Sequence, residues 1–246
     1  MSAQLEAKNI TKRFGGLEAL RDVSVTAQDE ILGLIGPNGA GKTTLFNIIC
    51  GFLRPTSGQV LFENRAIHTR RTHEITQLGI ARTFQIVKPF TDLTVLDNVL
   101  SGLGCSIYPT PRAFTGQYHA PATIKQARAL LEFADMSKWA DTIAGNLPIG
   151  LQRRLEIARA LATQPRLLLL DEPAAGLTAG EADELATLIR KLRAQGKAII
   201  VIEHNMAFAM NLCQRIVVLA QGVIIAQGTP AQVQSDERVI NAYLGH

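Results

Sequence analysis

Gly36-Pro37-Asn38-Gly39-Ala40-Gly41-Lys42-Thr43-Thr44 follows the stretch Glu30 to Ile35 and runs into Leu45-Phe46-Asn47-Ile48-Ile49-Cys50 and Gly51. A short apolar run, a glycine loop, a segment of helical composition and a glycine stop predict a strand, a tight turn and a C-capped helix. Gly36 to Thr43 also matches the spacing G-x4-G-K-[ST] of a phosphate-binding loop, in the strand-to-helix setting that the chemistry needs. Glycines let backbone N–H groups turn inward around phosphate oxygens, and the helix N-terminus adds the positive end of its dipole. In this pattern Lys42 reaches the β- and γ-phosphates of a nucleotide and the Thr43 hydroxyl binds Mg²⁺. The four fixed positions arise by chance in roughly one chain of this length in a hundred, before the context is counted.

Outward along the chain, Leu167-Leu168-Leu169-Leu170-Asp171-Glu172 reads as a buried strand ending in two carboxylates. Charge at the C-terminal end of a parallel strand marks a site, because burying it for any other purpose is expensive. Asp171 is suited to holding Mg²⁺, directly or through water, and Glu172 to acting as the general base for an attacking water. A helix N-cap, just ahead of Pro173, is the other use open to Glu172.

The segments around these two motifs set the fold class. Leu5 to Ile10, Leu20 to Thr26 and Gln59 to Phe62 read as short strands of an N-terminal antiparallel β part. From about residue 89 to 147 the composition turns helical between breakers, with Thr94-x-x-Asp97 as a capping box. Gly102 to Pro121 reads as a long irregular loop inside this lobe. Leu151, Leu155, Ala158 and Leu161 form one buried helical stripe, with Arg153, Arg154 and Arg159 off it on a solvated face. Leu185, Leu188, Ile189 and Leu192 repeat the helical spacing, Gly196 ends that helix, and Lys197 to Ile202 is the next strand. Arg215 to Ala220 and Val223 to Ala226 flank Gln221-Gly222 as a hairpin. Strand and helix alternate, so the expected class is α/β: a P-loop NTPase core (1–88 and 148–246) with a mostly parallel sheet, carrying an inserted helical subdomain (about 89–147).

Composition narrows the function classes. With 246 residues, 47% hydrophobic and 19% charged, the chain has material for a sizeable core and is a poor match for disordered or fibrous classes. Cys50, Cys105 and Cys213 are too far apart to form a Cys-x-x-Cys pair, which points to a reducing compartment. No apolar run approaches the ~20 residues of a membrane-spanning helix, and Met1 to Lys8 lacks a signal-peptide core, so a cytoplasmic location is expected. The net charge of +4 is a weak guide, and no basic stripe interleaved with aromatics suggests a nucleic acid partner.

With the two motifs flanking a helical lobe, the whole chain resembles the nucleotide-binding subunit of ABC transporters, and more narrowly the branched-chain (hydrophobic) amino acid uptake branch. The discriminating stretches are Ile80-Ala81-Arg82-Thr83-Phe84-Gln85, Leu93-Thr94-Val95, Gln152 to Leu161, Asp171 to Leu177, Ile202-Glu203-His204-Asn205-Met206 and the tail Ala242-Tyr243-Leu244-Gly245. The resemblance implies that Gln85 touches Mg²⁺ or the attacking water, that His204 contacts the γ-phosphate, and that Phe14 stacks on adenine. It also implies a second ATP-binding subunit, either another copy or a sister ATPase. Separate membrane permeases would dock near Gln85 to Val99, beside Phe84, Phe90, Leu93 and Val95. A substrate-binding protein is an indirect partner, and the chain would sit at the cytoplasmic face of the membrane.

One stretch departs from the family. Its signature Leu-Ser-Gly-Gly-Gln aligns with Leu147-Pro148-Ile149-Gly150-Leu151, so the serine and the first glycine are missing. Gly150 and a helix starting near Leu151 keep backbone donors for a nucleotide held by the other subunit. Thr178 stands where the family often has Asp. Two activities stay open on this reading, a transport ATPase and a weakly hydrolysing nucleotide-sensing module, and urea or short amides remain alternative cargoes.

Overall fold

The computed structural model describes residues 4–83, 89–104 and 120–244. The stretch before the glycine loop forms β3 (Ile31–Ile35), and the loop enters α1 (Lys42–Ile49). β3 is flanked in parallel by β8 (Ala198–Ile202) and β9 (Arg215–Ala220), and the sheet continues through β7 (Leu167–Asp171) to β6 (Ile80–Arg82). At the other edge β10 (Val223–Gly228) returns antiparallel to β9 through the expected Gln221-Gly222 turn. Both turn residues have positive φ, 47° and 79°, matching the twist of a two-residue hairpin.

β3, β7 and β8 are buried throughout because both sheet faces are covered, and their period-2 side chains divide between two cores. Leu32, Leu34, Leu167, Leu169, Ile200 and Ile202 pack with Phe46 and Ile49 of α1 and with a second sheet. That sheet has the order β2-β1-β4-β5, from β1 (Leu5–Phe14), β2 (Leu17–Ala27), β4 (Ser57–Phe62) and β5 (Arg65–Ala66). β1 and β2 run to 10 and 11 residues, longer than their apolar cores predict. Register shifts near Ile10 and Lys12 let the pairing continue past the polar residues.

The other core holds Ile31, Ile35, Leu168, Leu170, Ile199 and Val201 together with residues of α3 (Val95–Gly104), α4 (Pro121–Phe133), α5 (Ile149–Ala162) and α6 (Ala179–Ala194). Thr94 starts α3 as its spacing predicts: its hydroxyl accepts from the Asp97 N–H at 3.0 Å and donates to Asp97 Oδ2 at 2.6 Å. Two readings of this region need correction. Gly102 to Gly104 are helical, because a Cβ on Gly102 would lie 2.7 Å from the Arg159 carbonyl oxygen, so this glycine serves close helix packing. The remainder of that stretch, residues 105–119 with Cys105, lies outside the described residues. Arg153 is buried against Glu156 at 3.6 Å, since α5 is covered on more than one side, and Arg154 pairs with Glu184 at 2.5 Å. Shorter elements leave no signal in the sequence: α2 (Thr72–Gln77), β5 and β6 are too short to carry a period. The chain finishes in α7 (Met206–Leu212), α8 (Pro230–Gln234) and α9 (Glu237–Leu244). Cys50 and Cys213 are free buried thiols, pushed up to about 11 and about 12 by burial. No helix among the described residues is long and apolar enough to cross a membrane.

Candidate active site

The C-terminal ends of β3, β7 and β8 lie side by side, and the segments leaving them carry Gly36 to Lys42, Glu172, and Glu203 with His204. At Gly36 φ is 148°, and a Cβ would fall 1.9 Å from the Leu219 carbonyl oxygen. Gly41, with φ 104°, would strike the Leu20 side chain at 2.6 Å and the Ala19 carbonyl at 2.7 Å. Only glycine lets the loop turn this tightly. Gly41 caps α1 without a side-chain acceptor, and no acidic residue sits in the first turn, so the helix's own residues leave its positive end uncompensated. The resulting cleft of about 260 Å³ is lined by Ala19, the loop from Asn38 to Thr44, and Glu172.

Lys42 is buried, and its Nζ donates to the carbonyls of Gly36 at 2.7 Å and Pro37 at 2.9 Å. Burial pulls its pKa down, opposed by the negative charges of Glu172 and Asp171. Asp171, 3% exposed, is held by Arg82 at 2.6 Å, and the same guanidinium donates to Asn47 Oδ1 of α1 at 2.7 Å. Glu172 adopts φ 48°, a left-handed conformation uncommon outside glycine, while its N–H continues the ladder to the Ile202 carbonyl at 2.9 Å. This kink turns its carboxylate to the cleft, 3.4 Å from His204 Nδ1. Glu172 caps no helix, since α6 starts at Ala179 under Thr178.

Residues 20–175 of this chain match the family model described as ABC transporter. The chain belongs to the ABC transporter family. A second model, "Branched-chain amino acid ATP-binding cassette transporter", matches residues 223–246 of the cassette. Among curated relatives, the high-affinity branched-chain amino acid transport ATP-binding protein BraF of Pseudomonas aeruginosa is 40% identical, covering 98% of this chain and 97% of its own. LivG of Salmonella typhimurium, likewise a high-affinity branched-chain amino acid transport ATP-binding protein, is 42% identical, covering 100% of this chain and 99% of its own. Among solved structures, a nucleotide-free ATP-binding cassette from an ABC transporter superposes with a TM-score of 0.89 at 35% identity, covering all of both chains. A dimeric bacterial ABC transporter cassette gives 0.78 at 29% identity, covering 92% of this chain and 98% of that one.

The oxygen donors of this ABC cassette suit MgATP. No group of three or more His, Cys, Asp or Glu side chains among the described residues could form a cation cage. Mg²⁺ seldom needs one, since it keeps waters and substrate phosphates and takes one or two protein oxygens, a number that the Thr43 hydroxyl and the Asp171 carboxylate would supply. Gln85 and Phe84 lie outside the described residues. Phe14, at the end of β1, is 45% exposed with the Lys12 ammonium 4.9 Å from its ring centroid, and it does not line the cleft. Gly150 is the second residue of α5, because the helix begins at Ile149 under Pro148 rather than near Leu151. A Cβ there would lie 2.8 Å from Glu181 Oε1, so a carboxylate of α6 already rests on this helix end. Thr178 uses its hydroxyl locally, donating to Glu181 Oε2 at 2.8 Å in a capping box.

Arg82 and Glu203 lie in stretches that carry the family resemblance, but the sequence alone assigns them no task. For Glu203 a signal existed: a carboxylate directly after a fully apolar strand has to be satisfied by something. For Arg82 none did, because the three-residue β6 is not legible as a strand.

Proposed function

We propose that this cassette is the ATP-hydrolysing subunit of an importer whose cargo is branched-chain or other hydrophobic amino acids. The hydrolytic part rests on one observation, the convergence of Lys42, Asp171, Glu172 and His204 at the ends of three adjacent parallel strands. The cargo rests on the names of the full-length relatives and on the C-terminal match.

Backbone N–H groups of Gly36 to Thr44 and the Lys42 ammonium bind the phosphates. Thr43, Asp171 and Gln85 would hold Mg²⁺, which would supply charge neutralisation when bound. Glu172 accepts the proton of the attacking water, and His204 holds its side chain against that carboxylate and the γ-phosphate. Phe14 stacks on adenine. Gly150 offers its helix end to nucleotide held by a second cassette, a copy or a sister subunit. The helical lobe, about 89–147, moves against the core (1–88 and 148–246) as the pair closes. Phe90 and Leu93, exposed at 48% and 41%, belong to the surface that meets the permeases on the cytoplasmic face of the membrane. A substrate-binding protein delivers the cargo.

Light scattering on Glu172→Gln during size exclusion tests the motor. We expect ATP binding to persist, turnover to vanish, and a dimer to form only with MgATP. Unchanged hydrolysis removes Glu172 as the base, and a persistent monomer shifts weight to a sister subunit or to a nucleotide-sensing module. Uptake of labelled leucine against urea in vesicles carrying the permeases tests the cargo.

A further inference from the structure

Glu203 is 1% exposed, and none of the steps above uses it. Its Oε1 accepts the N–H of Ala174 at 2.9 Å, and its Oε2 accepts those of His204 at 3.2 Å and Asn205 at 3.3 Å. Ala174 sits in the turn that follows Glu172, a turn closed by Ala175 N–H donating to the Glu172 carbonyl at 3.1 Å. Asn205 is the N-cap of α7, its side chain accepting from the Phe208 N–H at 3.1 Å. The two oxygens of one carboxylate therefore serve two different loops, the one carrying Glu172 and the one carrying His204. Burial pushes the Glu203 pKa up, and the backbone donors oppose that push. Burying a carboxylate is expensive unless every lone pair has work, and here both oxygens are engaged by backbone donors.

The geometry points to Glu203 as a positioning residue that clamps the Glu172 turn to the His204 loop and so sets the 3.4 Å approach of these two side chains. A hydroxyl in its place could not reach both loops. An amide would offer one acceptor and turn its NH₂ against a backbone N–H on the other side. This inference rests on Glu172 and His204 being the hydrolytic pair.

The test is steady-state phosphate release from MgATP by the full-length chain, comparing Glu203→Gln, His204→Ala and the double variant. Misplacing a reacting group by about 1 Å costs up to about 100-fold, so Glu203→Gln is expected to lower kcat about 10- to 100-fold with KM unchanged. Because Glu203 acts through His204, the double variant is expected to turn over as slowly as His204→Ala and no slower. A normal kcat in Glu203→Gln while His204→Ala is impaired overturns the clamp and leaves the hydrolytic pair standing. Losses that multiply in the double variant, or a rise in KM that accounts for the whole effect, overturn it as well. Normal turnover in His204→Ala overturns the pair itself. Should Glu203→Gln lose its fold, Glu203→Asp, which keeps the charge but withdraws it by one methylene, takes its place with the same expected pattern.

Discussion

Arg82 and Asp171 are a buried pair, with side chains 7% and 4% exposed and 2.6 Å apart. Such a pair gains little over a well-packed apolar substitute, but removing one partner strands the other's charge, at about 3–5 kcal/mol. Arg82→Leu is therefore expected to lower the unfolding free energy by about that amount in urea, and a loss below about 1 kcal/mol would mean that Asp171 is satisfied elsewhere. The guanidinium also lies over the Phe46 ring at 5.5 Å and bonds Asn47, so it ties the phosphate-loop helix to the carboxylate that would take Mg²⁺. Lys42, Thr43, Asp171 and Glu172 could be read from sequence because their motifs are contiguous and each residue has a chemical reason for its position. Arg82 could not, because its partner is 89 positions away and nothing local announces it.

Among the elements, those with local signals were legible. Thr94 and Asp97 start α3, Gly196 ends α6 at φ 79°, and the Gln221-Gly222 hairpin forms as spaced. Thr178 and Glu181 form an equally local cap on α6, with the Glu181 carboxylate held below its usual range by hydrogen bonds from the Thr178 backbone and hydroxyl. Thr178→Ala is expected to destabilise the chain by about 1 kcal/mol, the ordinary worth of such a cap, read as a lower Tm. It also frees Glu181 beside Gly150, so its effect on ATP-dependent dimerisation should differ from that of a distant cap such as Thr229 on α8, which serves as the control. Packing overrides composition at Gly102, inside a helix, and at the buried Arg153.

For the whole molecule, the two cores share β3, β7 and β8, each strand giving alternate side chains to both. Neither core can be lost alone without exposing a face of the central sheet. Unfolding followed at Trp139, the single tryptophan and a residue packed against the core of the helical lobe, is expected to coincide with the far-UV circular dichroism transition. Phe46→Ala, on the opposite side of the sheet, should shift both curves together by about 3–5 kcal/mol. Separated transitions would mean that the lobe unfolds on its own.

The sequence by itself determined the strand-loop-helix that binds phosphate, the buried strand ending in Asp171 and Glu172, the α/β alternation and the family, because each is written in contiguous residues with a fixed spacing. The tertiary structure decided which groups meet: Arg82 with Asp171, His204 with Glu172, Glu181 with Gly150, and Glu203 with Ala174 from 29 positions away. Hydrogen bonding, charge pairing and desolvation act through space, and a chain order that keeps these residues apart holds no record of them until the sheet brings its strand ends to one edge.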